Sequence, residues 1–315
     1  VWHPMKIFKS KTFWLVLCLA LLLAPVAWYA SLGVSDTINE LKSDHAAPEL
    51  DEKVSSFDGT EIAYSVSGNG PKTLLFVHGW TRTSADWADQ AAIFADGYQT
   101  VVLDLAGHGS SGADREEWSV KNFSRDVVAV IDQLKVDDVI VVGHSMGGLV
   151  AMEMARSASD KISGVVIVDE IYDVESKEAS SDILTAKLLT WLNYDFTLQL
   201  FLEDFFIDEA DEDLKNKIIA ESYALPGDIS RKILFGDGGY FDFYNEEVLP
   251  AFKATKLPIA FINADGGSVA KETNQKYQPG LIVEEIPNSG HFFIVEEPVK
   301  FTESLRSVLS KWDGS

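Results

Sequence analysis

One stretch limits what this chain can fold into more than any other: Val139, Ile140, Val141, Val142, Gly143, His144, Ser145, Met146, Gly147 and Gly148, with Leu149 to Glu153 behind them. The four β-branched residues read as a strand buried on both faces, as in parallel sheets. A Gly-x-Ser-x-Gly turn follows at once, and Leu149, Val150, Met152, Met154 and Ala155 leave it with helical spacing. The order is strand, tight turn, helix. Such a turn forces Ser145 into a strained backbone conformation, and Gly143 and Gly147 leave space where a side chain would collide. The helix then aims its free N–H groups and its dipole at the serine. Ser145 is the candidate nucleophile.

Buried-strand patterns recur on both sides of this stretch, at residues 73–77, 100–103, 162–168, 257–262 and 281–286. Residues 61–67 alternate as a half-buried strand. Helical patterns at 85–95, 123–134 and 298–312 fall between and after them. This alternation predicts a parallel sheet covered on both sides. The rhythm breaks at residues 170–252, which read as helices and loops rich in aromatics (Trp191, Phe201, Phe205, Tyr240, Phe241) with no strand. That segment is expected to be an inserted cap.

The length, 315 residues, suits one large domain plus attachments. Acidic residues outnumber basic ones 49 to 26, for a formal charge of −23. Such a surface repels phosphate backbones, which argues against nucleic-acid binding. The only cysteine is Cys18, so neither an intrachain disulfide nor a thiolate metal site can form. No paired-histidine ligand spacing occurs either, and neither metal nor cofactor is expected. At the N-terminus, Lys6, Lys9 and Lys11 precede a nearly uncharged run of 23 residues, 12–34, flanked by Phe13, Trp14, Trp28 and Tyr29. Its length and its aromatic ends match a spanning helix. The expected organisation is a cytoplasmic N-terminus (1–11), a membrane anchor or uncleaved signal (12–34), a polar tether (35–53) and a folded domain (54–313). The lysines would keep the N-terminus inside and place the domain outside the cytoplasm. The alternative is a secreted form cleaved near Ser31 or Gly33, against which Trp28 at the −3 position speaks.

Four motifs stand in one order: His78-Gly79-Trp80, Asp104 to Ser111, Gly143 to Gly148, and Ser289-Gly290-His291-Phe292. Together they make the chain resemble the α/β-hydrolases of the epoxide hydrolase and haloalkane dehalogenase branch, with serine as nucleophile. The resemblance implies an α/β fold, a doubly wound, mostly parallel eight-stranded sheet with a helical cap after the sixth strand. It also implies the chain order nucleophile, acid, histidine. His3 and His45 lie outside the domain, His78 and His108 belong to motifs whose usual role is structural, and His144 adjoins the nucleophile. His291 remains as the base. For the orienting acid the resemblance points to the loop after the seventh strand, where Asp265 is the only carboxylate and Gly267 occupies the more usual position. Asp169, at the end of the sixth strand, is the alternative. Asp265 is the preferred reading. An oxyanion hole is expected from the backbone N–H groups of Trp80 and Met146.

Members of that branch that open epoxides or remove halide need an aspartate at the elbow, whereas serine attacks acyl carbons. The expected activity is therefore hydrolysis of carboxylic esters of a small or medium apolar or aromatic substrate through an acyl-enzyme. Two alternatives stay open. One is a proline-type aminopeptidase or amidase, which would need an acidic cluster in the cap. Glu203, Asp204, Asp208, Glu209, Asp211, Glu212 and Asp213 are the available charges, although they also suit a solvated face. The other is a ligand sensor that turns over slowly or not at all.

Overall fold

A computed structural model describes residues 50–265 and 269–313. Eight strands form one sheet: β1 (Glu52–Ser55), β2 (Glu61–Ser67), β3 (Thr73–Val77), β4 (Gln99–Leu103), β5 (Val139–His144), β6 (Ile162–Val168), β7 (Ile259–Ala264) and β8 (Ile282–Ile286). Their spatial order is β1-β2-β4-β3-β5-β6-β7-β8. β2 runs antiparallel to β1 and β4, and every pairing from β4 onwards is parallel. β1 starts at Glu52 and Leu50 is already buried, so folded chain begins inside the stretch read as tether.

The continuous apolar strands are buried because both sheet faces are covered. Leu75 and Val77 of β3 join one core cluster, with α2 (Val120–Leu134) and α3 (Met146–Ser157) packed over it. Leu74 and Phe76 join the other, beneath α1 (Ala88–Phe94) and α11 (Pro298–Asp313). Period-two alternation within an all-apolar strand thus feeds two cores at once.

Between β6 and β7 the described residues hold no strand. The segment contains α4 (Ser180–Leu192), α5 (Tyr194–Glu203), α6 (Glu212–Ser222) and α7 (Gly227–Phe235). A helical stretch with a π turn at Phe243–Glu247 follows and continues into α8 (Val248–Ala254). α9 (Lys271–Tyr277) joins β7 to β8, and α10 (Phe293–Glu296) precedes α11. Among the described residues no helix is long and apolar enough to cross a membrane. The 12–34 run, Cys18, most of the 35–53 tether and Gly267 lie outside the described residues.

Candidate active site

The site lies at the carboxyl ends of the central strands. Strand order reverses between β3 and β5, and open α/β sheets form their ligand crevice where this happens. Ser145 follows β5 directly and caps α3, with φ 52° and ψ −126°. A non-glycine residue rarely adopts that backbone, and the surroundings hold it there. Its N–H donates to the Val168 carbonyl at 2.9 Å, and its own carbonyl accepts from Gly148 at 2.7 Å. A Cβ on Gly143 would come within 2.1 Å of the Gly147 carbonyl oxygen, and one on Gly147 within 2.4 Å of that of Val77. Both glycines are therefore required by close backbone approach.

His291 follows β8 and is only 5% exposed. Its N–H donates to the Phe205 carbonyl at 2.8 Å, and its ring lies 4.6 Å from those of Phe205 and His144. His144 Nε2 donates to the His291 carbonyl at 2.9 Å. Burial, with His291 beside it, lowers the His144 pKa to about 3, so that ring stays neutral. His78 is likewise structural: Nδ1 donates to the Gly79 carbonyl and Nε2 accepts from the Leu105 N–H. Asp104 accepts from the Ser84 and Ser110 N–H groups, which ties its loop to the segment after β3.

Of the two candidate carboxylates, the structure brings Asp169, and not the preferred Asp265, to His291. His291 Nδ1 lies 2.7 Å from Asp169 Oδ2. Asp169 is 1% exposed, and its other oxygen accepts from the Ala264 N–H at 2.7 Å and from the Tyr172 hydroxyl. An ionised carboxylate can only accept, so His291 carries its proton on Nδ1. Asp265 sits one residue beyond β7, exposed, with its N–H bonded to the Ile286 carbonyl. Asp169 has φ 49°, a left-handed backbone that a non-glycine residue rarely adopts.

Ser145 and His291 line one cavity with Gly79, Trp80, Arg82, His144, Glu178, Phe201, Phe205, Leu234, Tyr240, Phe241 and Phe292. Trp80 follows β3, and Met146 is the first residue of α3. In the turns around them neither N–H takes a backbone acceptor among the described residues. The Trp80 indole donates to Ser230 Oγ of α7 at 3.0 Å and so fastens the cap to the loop after β3.

Some site residues escaped the sequence reading. Glu170 is 5% exposed and accepts from the Tyr240 hydroxyl at 2.8 Å. Burial pushes its carboxyl up to about 8, with Asp169 and Glu178 adding to the rise, while hydrogen bonds from Tyr240 and Ser145 oppose it. The available signal was a second acid directly after a buried strand. Arg82 is also buried, in ion pairs with Asp86 at 2.6 Å and with Glu221 of α6 at 2.9 Å, and it donates to the Ile218 carbonyl. The acidic run from Glu203 to Asp213 lines no part of the cavity, and six of its seven carboxylates are exposed. Among the described residues no group of His, Cys, Asp and Glu side chains could hold a metal ion.

The sequence comparisons agree with this architecture. The model of the alpha/beta hydrolase family matches residues 74–304. A non-heme haloperoxidase from Rhodococcus erythropolis is 34% identical over 120 residues, 38% of this chain and 43% of that protein. A bifunctional esterase/perhydrolase from Acinetobacter calcoaceticus is 32% identical over 131 residues, 41% of this chain and 48% of that protein. The chain thus spans less than half the length of the curated relatives it matches. Among solved structures, an esterase from Exiguobacterium antarcticum superposes with a TM-score of 0.71 at 21% identity, covering 84% of this chain and all of that one. With the family model covering most of the chain and the sheet, elbow and strand-end histidine in place, this protein belongs to the alpha/beta hydrolase family.

Proposed function

We propose that this chain is a serine hydrolase that cleaves carboxylic esters of small or medium apolar or aromatic substrates. The observation that carries the reading is the hydrogen bond to Asp169 made by His291, which lines the same cavity as Ser145. With Nδ1 committed to Asp169, Nε2 is the nitrogen that takes the Ser145 proton as Oγ attacks the ester carbonyl. The Trp80 and Met146 N–H groups hold the oxyanion of the tetrahedral intermediate. Collapse of the intermediate expels the alcohol, which receives the proton from His291. Water, deprotonated by the same nitrogen, then hydrolyses the acyl-enzyme and releases the acid. Asp169 keeps the tautomer and offsets the charge that His291 gains. Trp80, Phe201, Phe205 and Phe241 give the cavity the apolar walls that suit such an acyl or alcohol group.

Two measurements test this. A fluorophosphonate probe should label the protein, and Ser145→Ala should not be labelled. p-Nitrophenyl esters of graded chain length should turn over many times per molecule and faster than aminoacyl-anilides. Faster anilide cleavage would favour the amidase reading, and a single cycle of labelling without turnover would favour the sensor.

We further propose that residues 12–34 anchor the chain in a membrane with the domain outside the cytoplasm, on the strength of the uncharged run and the preceding lysines. The full-length protein should then stay with membranes through high-salt and carbonate washes. Recovery of a soluble form starting near Ser31 or Gly33 would identify a cleaved signal instead.

A further inference from the structure

Helix α4 is apolar on two opposite sides. Its inner side carries Ile183, Ala186 and Leu189, which pack on Phe201, Leu234 and Phe241, and those three side chains are walls of the cavity holding Ser145. Its outer side carries Leu184, Leu188, Trp191 and Leu192, which are 57%, 52%, 75% and 60% exposed. The spacing i, i+4, i+7, i+8 puts the four on a single stripe. Phe196, early in α5, adds a fifth exposed apolar side chain at 39%. Singly exposed leucines are ordinary, but a contiguous stripe ending in the most exposed large apolar side chain of the described residues needs a partner.

The geometry points to a zwitterionic lipid surface as that partner: the stripe on α4 rests in the interfacial layer of the bilayer and holds the cap against it. Three observations select this occupant. The first is charge. The chain carries −23, so a second copy or an anionic surface is repelled, whereas α4 itself holds one acid, Asp182, and one base, Lys187. The second is composition, because a tryptophan with leucines on one helical face is the chemistry of interfacial helices. The third is reach. The uncharged 12–34 run ends only 15 residues before the buried Leu50, a span of at most about 50 Å when fully extended. A domain held that close meets the bilayer at high effective concentration, so a patch of modest area suffices. Since α4 packs directly on side chains that wall the cavity, this docking brings the cavity close to the layer into which apolar esters partition. That consequence rests on the esterase reading; the docking itself does not, and its reach argument rests on the anchor reading of residues 12–34.

The test uses the full-length chain in phosphatidylcholine vesicles. In a Cys18→Ser background, Trp191→Cys carries an environment-sensitive fluorophore. Docking predicts blue-shifted emission at every protein-to-lipid ratio, quenched by lipids with nitroxides near the headgroup. Emission typical of water overturns the proposal. So does a shift that disappears on dilution in lipid, which means a second copy covers the stripe. A shift without lipid at all protein concentrations also overturns it, and means that the chain's own 12–34 run lies there. A kinetic arm separates docking from catalysis. Leu188→Asp with Trp191→Asp should slow hydrolysis of a long-chain ester dissolved in the bilayer by about tenfold and leave p-nitrophenyl acetate unchanged. Equal rates on the bilayer ester again count against docking, whereas no acetate hydrolysis by the parent protein counts against the esterase reading alone.

Discussion

The strand-end loops and the cap solve different problems with different precision. Ser145, Asp169 and His291 stand at the ends of β5, β6 and β8, and the parallel register that pairs His144 with Val168 and Ala264 with Ile286 fixes their separation. The cap has no ladder to hold it. Its attachments include side-chain contacts from Trp80 to Ser230, Arg82 to α6 and Tyr240 to Glu170, and backbone bonds from the His291 N–H to the Phe205 carbonyl and from the Val120 N–H to the Gly238 carbonyl. Chemistry that fails with a displacement of about 1 Å belongs on the register-locked side. Walls that select a substrate by shape and polarity can be carried by helices whose sequence is free to vary. Changes at the strand ends should therefore destroy turnover and spare the fold, and changes at the attachment points should do the reverse.

The strongest form of that contrast is Ser145→Ala, which should lower ester turnover on the order of 10⁴-fold with little change in melting temperature. Near-normal turnover would show that the elbow is not the site of attack. Asp169→Asn should approach the same loss, because the amide favours the wrong tautomer of His291. Asp265→Asn should stay close to wild type. Both variants measured with one ester, alongside their melting curves, give the answer. A dead Asp265→Asn with an active Asp169→Asn would restore the seventh-strand acid.

The same contrast explains which parts of the molecule were legible in the sequence. Val139 to Val142 and Thr73–Val77 announce their strands because burial on both faces leaves no polar position to blur the pattern. Ser145 was legible because close backbone approach demands glycine at 143 and 147. The acid was not. Asp169 and Asp265 follow adjacent strands, and the side chain that reaches His291 Nδ1 is that of Asp169. Chain spacing cannot report that reach. Glu170 and Arg82 were missed for a related reason, since their partners Tyr240 and Glu221 are far along the chain, in the cap. The double-sided apolarity of α4 also hides the usual amphipathic signal, so the cap reads as aromatic-rich without revealing which face is which.

Arg82 probes the attachment. Its guanidinium is 3% exposed and bridges Asp86, just after β3, to Glu221 and the Ile218 carbonyl of α6. Arg82→Met leaves the buried Asp86 carboxylate without its cation. Stranding one partner of such a pair costs about 3–5 kcal/mol. Denaturant unfolding should register that loss. At temperatures well below the new midpoint, kcat should change far less than in Asp169→Asn. A variant as stable as wild type would mean that the cap needs no ionic fastening.

The smallest effect tests Glu170, where strand end and cap meet. Its carboxyl faces Ser145 of the elbow, Asp169, Tyr172 and Glu178 of the chain after β6, and Tyr240 and Tyr244 of the cap. Held up to about 8 by burial, it is mostly protonated at neutral pH. A neutral acid can donate to Ser145 Oγ and leave the serine proton for His291. Once ionised it can only accept, and it competes with His291 for that proton. The kcat/KM profile should therefore fall above pH about 8, approaching about tenfold per pH unit. Glu170→Gln keeps a donor without a titration, so it should retain most of the neutral-pH rate and lose the alkaline limb. Stability supplies an independent reading. Between the ordinary carboxylate range and pH 8 the native protein keeps a proton that the unfolded chain has released. Stability therefore falls as pH rises through that window, by up to about 1.4 kcal/mol per unit, and is constant beyond it. Glu170→Gln should flatten the decline in melting temperature from pH 5 to 8. If the decline persists unchanged in the variant, the burial of this carboxyl is not what the protein's pH dependence reports.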